Sequence, residues 1–168
     1  WYQASQQYMP DVPIYNMDLP YPLFERDQDH REVWGYYHQY IVKELRGLVK
    51  FVEEQTGKKM DYDRLKELVD LSDRTWNLIH ETYELRRAVP CPMGTGDAMN
   101  TMVPINFMMG TQDSYNFFES LNKELKEKIA KKEGEVENEK YRLLWGGGLP
   151  AWFALSDFNY FNSKGACF

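Results

Sequence analysis

Cysteine is scarce in this chain: two of 168 residues, Cys91 and Cys167, with no CxxC or Cys/His spacing around either. That excludes a disulfide framework and a zinc-type motif, and makes reduced thiols the expectation. Basic excess is missing too. Twenty Lys and Arg stand against 26 Asp and Glu, a formal net charge of −6 with the signs interspersed, so the chain lacks the electrostatic footprint of a nucleic-acid binder. No apolar run approaches the roughly 20 residues of a membrane span, and no leader pattern opens the chain. The expectation is a soluble, cytoplasmic protein with neither a nucleic-acid nor a membrane partner. An initiator methionine is missing as well: the chain opens at Trp1 and stops at Phe168, just after an apolar run has begun, so it reads as a central piece of a longer protein.

What is present is a globular composition, 43% hydrophobic and 27% charged. "VPIYNMDLPY", Val12 to Tyr21, is a short β-favouring run bounded by prolines and predicts a strand with Asp18 near its end. From about Gln28 to Gln55 the positions Val33, Tyr37, Ile41, Leu45, Leu48 and Val52 recur at three- and four-residue steps, the period of an amphipathic helix that Gly57 ends. Asp61 in an N-cap position opens a second long helix to about Arg87, with Leu65, Val69, Ser72, Trp76, Ile79 and Tyr83 as its stripe. "AVPCPMGTGD" is punctuated by prolines and glycines and is a loop. Ala98 to Met109 predicts a helix broken or kinked at Pro104. After Gly110, Phe118, Leu121, Leu125 and Ile129 mark a third long helix laced with i,i+4 Glu–Lys pairs. Tyr141 to Trp145 then reads as a strand, followed by a glycine loop, a helix with Pro150 near its first turn, and a strand from Ala166. The order β, helical block, β, α, β predicts an α/β fold: Rossmann-like parallel sheet elements with a large helical insertion.

The loop Gly146-Gly147-Gly148 follows a strand and precedes a helix, the position at which open α/β sheets bind ligands. It matches neither GxGxxG nor the P-loop, so a tight turn is the competing reading. His30, His38 and His80 lie among helical charged residues and read as surface positions, with no second ligand at useful spacing. Cys91, held between two prolines, and Cys167, opening a strand, read as structural thiols. Met99, Met102, Met108 and Met109 suit either a core or an apolar pocket. Trp145, Trp152, Phe153 and Phe158 either flank a planar ligand or fill the space between sheet and helix.

The segments "WYQ", "VPIYNMDLPY", "IVKELRGLVKFVEEQTGKKMDYDRL", "RRAVPCP", "FFESLNKELKEKI" and "NEKYRLLWGGGLPAW" together resemble the benzoyl-CoA reductase/2-hydroxyacyl-CoA dehydratase family over nearly the whole chain. The resemblance is greatest to the smaller cluster-bearing subunits of ATP-dependent benzoyl-CoA reductases. It implies a fragment of a two-lobed subunit: residues 1–27 as the end of the first Rossmann-like lobe, 28–139 as a helical insertion, and 140–168 as the start of the second lobe. It also implies a [4Fe-4S] cluster held by three cysteines, a homologous subunit completing a heterodimer, and an ATP-dependent activator that delivers single low-potential electrons. The substrate implied is an acyl-CoA thioester in an anaerobe's cytoplasm, with benzoyl-CoA-type ring reduction as the first expectation and radical dehydration of a 2-hydroxyacyl-CoA as the alternative.

In that family the cluster cysteines lie before "WYQ" and beyond "GACF", so the ligands are expected outside this chain. Neither Cys91 nor Cys167 matches a ligand position, and no metal site is expected here. The fragment alone is therefore expected to be inactive, with Gly147, Gly148 and Trp152 bordering the substrate pocket in the intact complex. A noncatalytic scaffold homologue and a Rossmann-like binder of an unrelated ligand are the competing readings from other classes.

Overall fold

The structure is a computed structural model that describes residues 2–19, 30–136, 138–146 and 156–168. The chain divides into two compact units, Trp1–Tyr62 and Asp63–Phe168.

The first unit holds α1 (Tyr2–Tyr8) and the long α2 (His30–Thr56). α1 was not expected; it is built from Gln, Ala and Ser and stops before Pro10, which lacks the N–H needed to continue it. The expected strand does not form: residues 13–19 run without a ladder, and the last two residues of the predicted strand, Pro20 and Tyr21, lie outside the described residues. A strand is stable only against a partner edge, and Pro13 has no N–H to give one. The segment instead lays its side chains on α2. Tyr15 Oη donates to the Glu44 carbonyl at 3.2 Å, its ring stands 5.5 Å from that of Phe51, and Tyr40 Oη donates to Asp18 Oδ2 at 3.2 Å. This contact explains a glycine in the middle of a helix, where helix propensity disfavours it by about 1 kcal/mol. A Cβ on Gly47 would sit 2.2 Å from Tyr15 Oη. On α2 the half-buried positions include Val33, Tyr37, Ile41 and Leu48 as the spacing predicts, but Leu45 and Val52 face solvent. After Gly57 the Met60 N–H donates to Glu53 Oε1 at 2.9 Å, folding the chain back on the helix end.

The second unit runs α3 (Tyr62–Leu85), α4 (Thr95–Asn100), α5 (Met102–Phe107), α6 (Gln112–Lys131), β1 (Tyr141–Arg142), α7 (Asp157–Ser163) and β2 (Ala166–Cys167). The buried side of α3 is rotated from the expected stripe. Leu65, Val69, Trp76 and Tyr83 are exposed, whereas Thr75, Ile79 and Thr82 are buried beside half-buried Leu68, Leu71, Leu78 and Leu85. The sequence carries two apolar stripes, and the one with threonines wins because their hydroxyls reach the carbonyls four residues back: Thr75 to Leu71 at 2.8 Å and Thr82 to Leu78 at 2.9 Å. A threonine so bonded meets its neighbours with a methyl group.

α6 starts at the Thr111 cap, whose side chain accepts from the Ser114 N–H. Its contacts with α3 advance in the same direction along both helices: Gly110 lies against Leu68 and Ser72, Arg74 over the Tyr115 ring at 4.7 Å, and Lys126 pairs with Glu81 at 2.7 Å. The two helices therefore run parallel, and α4 and α5 are the return path. The single expected helix over 98–109 is split at Thr101, three residues before Pro104; the proline then occupies the first turn of α5, where no helical N–H is needed. Met93, Ala98 and Leu125 form a core cluster with Leu85 and Leu121 packed against it.

The sheet is smaller than expected. β1 and β2 are two residues each, parallel, with Tyr141 opposite Ala166 and Arg142 opposite Cys167. The described residues are thus mostly helical, and the Rossmann-like sheet reduces to one β-α-β unit, because a parallel pair requires a crossover and α7 supplies it. The expected strand beyond Arg142 continues only as an extended edge, with the Leu143 N–H donating to the Cys167 carbonyl at 2.8 Å. The Pro150 helix start lies outside the described residues.

Asn122, 2% exposed, joins α6 to α3: its nitrogen donates to the Leu78 carbonyl and to Glu81 Oε2, each at 2.9 Å, and its oxygen lies 2.6 Å from the Thr82 hydroxyl, whose one proton it shares with the Leu78 carbonyl. Removing it strands those groups. Asn122→Ala is expected to destabilise the protein by about 1–3 kcal/mol in denaturant unfolding, whereas Glu119→Ala on the exposed face changes stability by less than about 0.5 kcal/mol.

Candidate functional site

The two cysteines meet. Cys91, in the proline loop after α3, and Cys167, in β2, are both 0% exposed and share one cluster with Val136. The two side chains thus lie in one buried cluster, while the Cys91 Sγ donates to the Met93 carbonyl at 3.1 Å. Both are core residues, as their reading as structural thiols implies, but nothing in the sequence pairs positions so far apart.

The loop that carries Cys91 is held from several sides. Arg142, on β1, donates from one terminal nitrogen to the Arg86 carbonyl at 2.7 Å and from the other to the Ala88 carbonyl at 3.0 Å. Its Nε donates to Glu139 Oε1 at 2.8 Å, and the same carboxylate accepts the Cys91 N–H on Oε2 at 2.6 Å. The Cys91 carbonyl accepts from the Glu135 N–H at 2.8 Å. At Gly134 the loop passes so close that a Cβ would lie 2.3 Å from Pro90 Cβ. Arg86 reaches the chain's last residue, donating to the Phe168 carbonyl at 2.7 Å.

This framework sets the thiols' chemistry. The Cys91 thiol is drawn down to about 6, first by the neighbouring Cys167 thiol, then by the Met93 backbone and the Arg142 and Arg86 guanidiniums, against the opposing effect of burial. Cys167 is pushed up by the Cys91 side chain and by its own burial. The pair is thus unequal, with Cys91 the thiol that gives up its proton more readily.

At the carboxyl ends of the strands, Trp145 packs against Phe158 and Phe168 with ring centroids 6.0 and 5.7 Å apart, and Phe158 is 1% exposed. Of the two readings of these aromatics, Trp145 and Phe158 fill space between strand and helix. Gly146 has nothing within 4 Å of a built Cβ and no left-handed φ, so neither close approach nor backbone strain requires glycine there. Gly147, Gly148, Trp152 and Phe153 lie outside the described residues. His38 and His80 are exposed, as their spacing predicts; Met102 is exposed while Met99, Met108 and Met109 are half-buried. Among the described residues no group of three or more His, Cys, Asp or Glu is arranged to hold a metal ion. No helix among them is long and apolar enough to cross a membrane.

Sequence reasoning missed Glu139, Arg142 and Arg86. The one available signal was "RRAVPCP", a segment whose prolines forbid a regular ladder and whose backbone groups must therefore find side-chain partners.

Comparison with known proteins adds the family. The model of the family described as "2-hydroxyglutaryl-CoA dehydratase, D-component" matches residues 1–168. The chain is 26% identical over 155 residues to the (R)-2-hydroxyglutaryl-CoA dehydratase subunit alpha of Acidaminococcus fermentans, covering 90% of this chain and 30% of that protein. It is 23% identical over 152 residues to the (R)-phenyllactyl-CoA dehydratase alpha subunit of Clostridium sporogenes, covering 90% of this chain and 36% of that protein. The chain thus spans about a third of the length of these relatives. No solved structure matches it.

Two expectations follow from the geometry. Glu139 is 5% exposed on its side chain, and Glu139→Gln turns an amide nitrogen toward either the Cys91 N–H or Arg142; a loss of about 3 kcal/mol is expected in denaturant unfolding. The second concerns pH. Folding lowers Cys91 from 9.0 to about 6, so between those values the unfolded chain binds more protons and stability rises with pH. Above the unfolded thiol value of 9.0, Cys167 reverses the slope, because it ionises only when unfolded. The unfolding midpoint should therefore climb from pH 6 to 9, and Cys91→Ser should flatten that climb.

Proposed function

Since the chain belongs to the 2-hydroxyglutaryl-CoA dehydratase D-component family, we propose that it is part of a subunit of an enzyme complex that removes water from a 2-hydroxyacyl-CoA thioester. The observation that carries this reading is the family match along residues 1–168. Both relatives are named as dehydratase alpha subunits, which favours dehydration over the benzoyl-CoA-type ring reduction expected first from the sequence. An alpha subunit implies a companion subunit. A homologous partner completing a heterodimer, an ATP-dependent electron-donating activator and an acyl-CoA substrate belong to the same proposal.

The [4Fe-4S] cluster of this reading does not fit the residues present. Three cysteine ligands are required, and the described residues offer two buried free thiols in one cluster. Its ligands are accordingly proposed to lie in the remainder of the full-length protein. Within this chain the proposed contribution is positional. The Arg142 and Glu139 contacts fix where β1 points, and the loop that leaves β1, with Gly147, Gly148 and Trp152, borders the acyl-CoA at the strand ends where α/β folds bind ligands.

The test is anaerobic reconstitution of the full-length protein with its companion subunit and activator, supplied with ATP and reductant. (R)-2-hydroxyacyl-CoA thioesters are expected to be converted to the corresponding enoyl-CoA, with benzoyl-CoA left unreduced. Ring reduction without dehydration would replace this reading with the reductase one. In the same assay Gly148→Val is expected to lower turnover at unchanged iron content.

A further inference from the structure

The buried cysteines carry an inference that does not rest on the acyl-CoA reading. We propose that Cys91 and Cys167 form a reversible dithiol/disulfide site that reacts with low-molecular-weight disulfides and, when oxidised, ties the proline loop to β2.

The argument starts from placement. Both cysteines are 0% exposed and lie in one buried cluster with Val136. Membership of one buried cluster brings the two side chains together, and closing a disulfide draws the sulfurs to about 2.05 Å. Neither backbone is free to wander. Cys91 is pinned through its N–H to Glu139 and through its carbonyl to Glu135, while Cys167 is paired with Arg142 across the parallel strands. Pre-organisation of this kind favours closure between the two cysteines over retention of a mixed disulfide.

The flanking charges favour the same chemistry. Arg86 and Arg142 stabilise a thiolate on Cys91, and the thiolate is the form that attacks a disulfide. The Cys91 sulfur attacks one sulfur of the small disulfide R–S–S–R, the R–S bond partner leaves as a thiolate, and it takes a proton from solvent. Cys167 then gives its proton to solvent, and its sulfur attacks the Cys91 sulfur and expels the second R–S⁻, which is protonated in turn. Two protein thiols are oxidised to one disulfide, and one small disulfide is reduced to two thiols. Because both sulfurs are buried, the first step waits on opening of the loop whose tip, Val89, is 76% exposed. Opening breaks the Arg142 contacts to the Arg86 and Ala88 carbonyls, so the latch sets the rate.

The experiment uses the full-length protein with its companion subunit, purified anaerobically, incubated with oxidised glutathione, quenched with acid, alkylated and mapped as non-reduced peptides. The expected product joins the Cys91 peptide to the Cys167 peptide, two hydrogens lighter than their sum, and dithiothreitol reverses it. Cys167→Ala should hold glutathione on Cys91, because the resolving thiol is gone. Glu139→Gln should speed the first attack on glutathione several-fold by easing opening of the loop. Recovery of both wild-type cysteines as alkylated thiols, or of Cys91 as a lasting glutathione adduct beside free Cys167, would overturn the proposal. The wild-type map decides the matter even where a variant fails to fold.

Discussion

The second unit depends on one ion pair between a buried carboxylate and a partly exposed guanidinium. Glu139, 5% exposed on its side chain, meets Arg142, 32% exposed, and between them they hold the backbone of the segment after α3. A buried ion pair is in general weak evidence for stability, since desolvation offsets attraction. Here the pair has a further task. The prolines at positions 90 and 92 deny the loop regular hydrogen bonding, and backbone groups buried without partners are costly. Arg142 and Glu139 supply those partners with a fork of donors and a two-sided acceptor. A lysine at 142 offers the charge without the planar fork and could not serve two carbonyls and a carboxylate in the same geometry.

The long helices and the starts of the two short strands at Tyr141 and Ala166 were legible in the sequence, whereas the lengths of the strands, the helix faces and the fate of the run from Val12 were not. α2, α3 and α6 follow from period and end signals to within a few residues, because an amphipathic repeat sustained over five or more turns leaves few alternatives. The face was harder. On α3 the threonines at 75 and 82 count as polar in a periodicity, yet they are buried once their hydroxyls bond within the helix. The β-favouring run from Val12 failed as a strand for a tertiary reason: its aromatic residue found a glycine-lined seat on α2 instead of a sheet edge. β propensity describes a fit to a half-buried surface, and a helix offers one as well as a sheet does.

The site itself was illegible from spacing, since its parts come from distant stretches: Arg86 and Cys91 from the end of a helix, Glu139 and Arg142 from the approach to β1, Cys167 and Phe168 from β2. Resemblance reached further than pattern. "RRAVPCP" and "NEKYRLLWGGG" both entered the family assignment as separate segments, and in the structure they are the two sides of the same latch, Arg86 to Cys91 on one and Glu139 to Arg142 on the other. The dehydratase relatives then favour the chemistry the sequence had ranked second.

The parallel arrangement of α3 and α6 governs the order in which the unit can assemble. Neighbouring helices joined by a short turn run antiparallel and can zip from the turn, whereas these two cannot meet until the chain has travelled back through α4 and α5. The latch is more remote still: Arg86 finds the Phe168 carbonyl across 82 positions and Cys91 finds Glu139 across 48. Closing such loops is an entropic search that precedes any reward, which slows folding while scarcely changing final stability. On the ribosome the proline loop therefore emerges early and waits, its carbonyls served by water, until the residues of β1 and β2 have cleared the exit and the last contacts close from the carboxyl side.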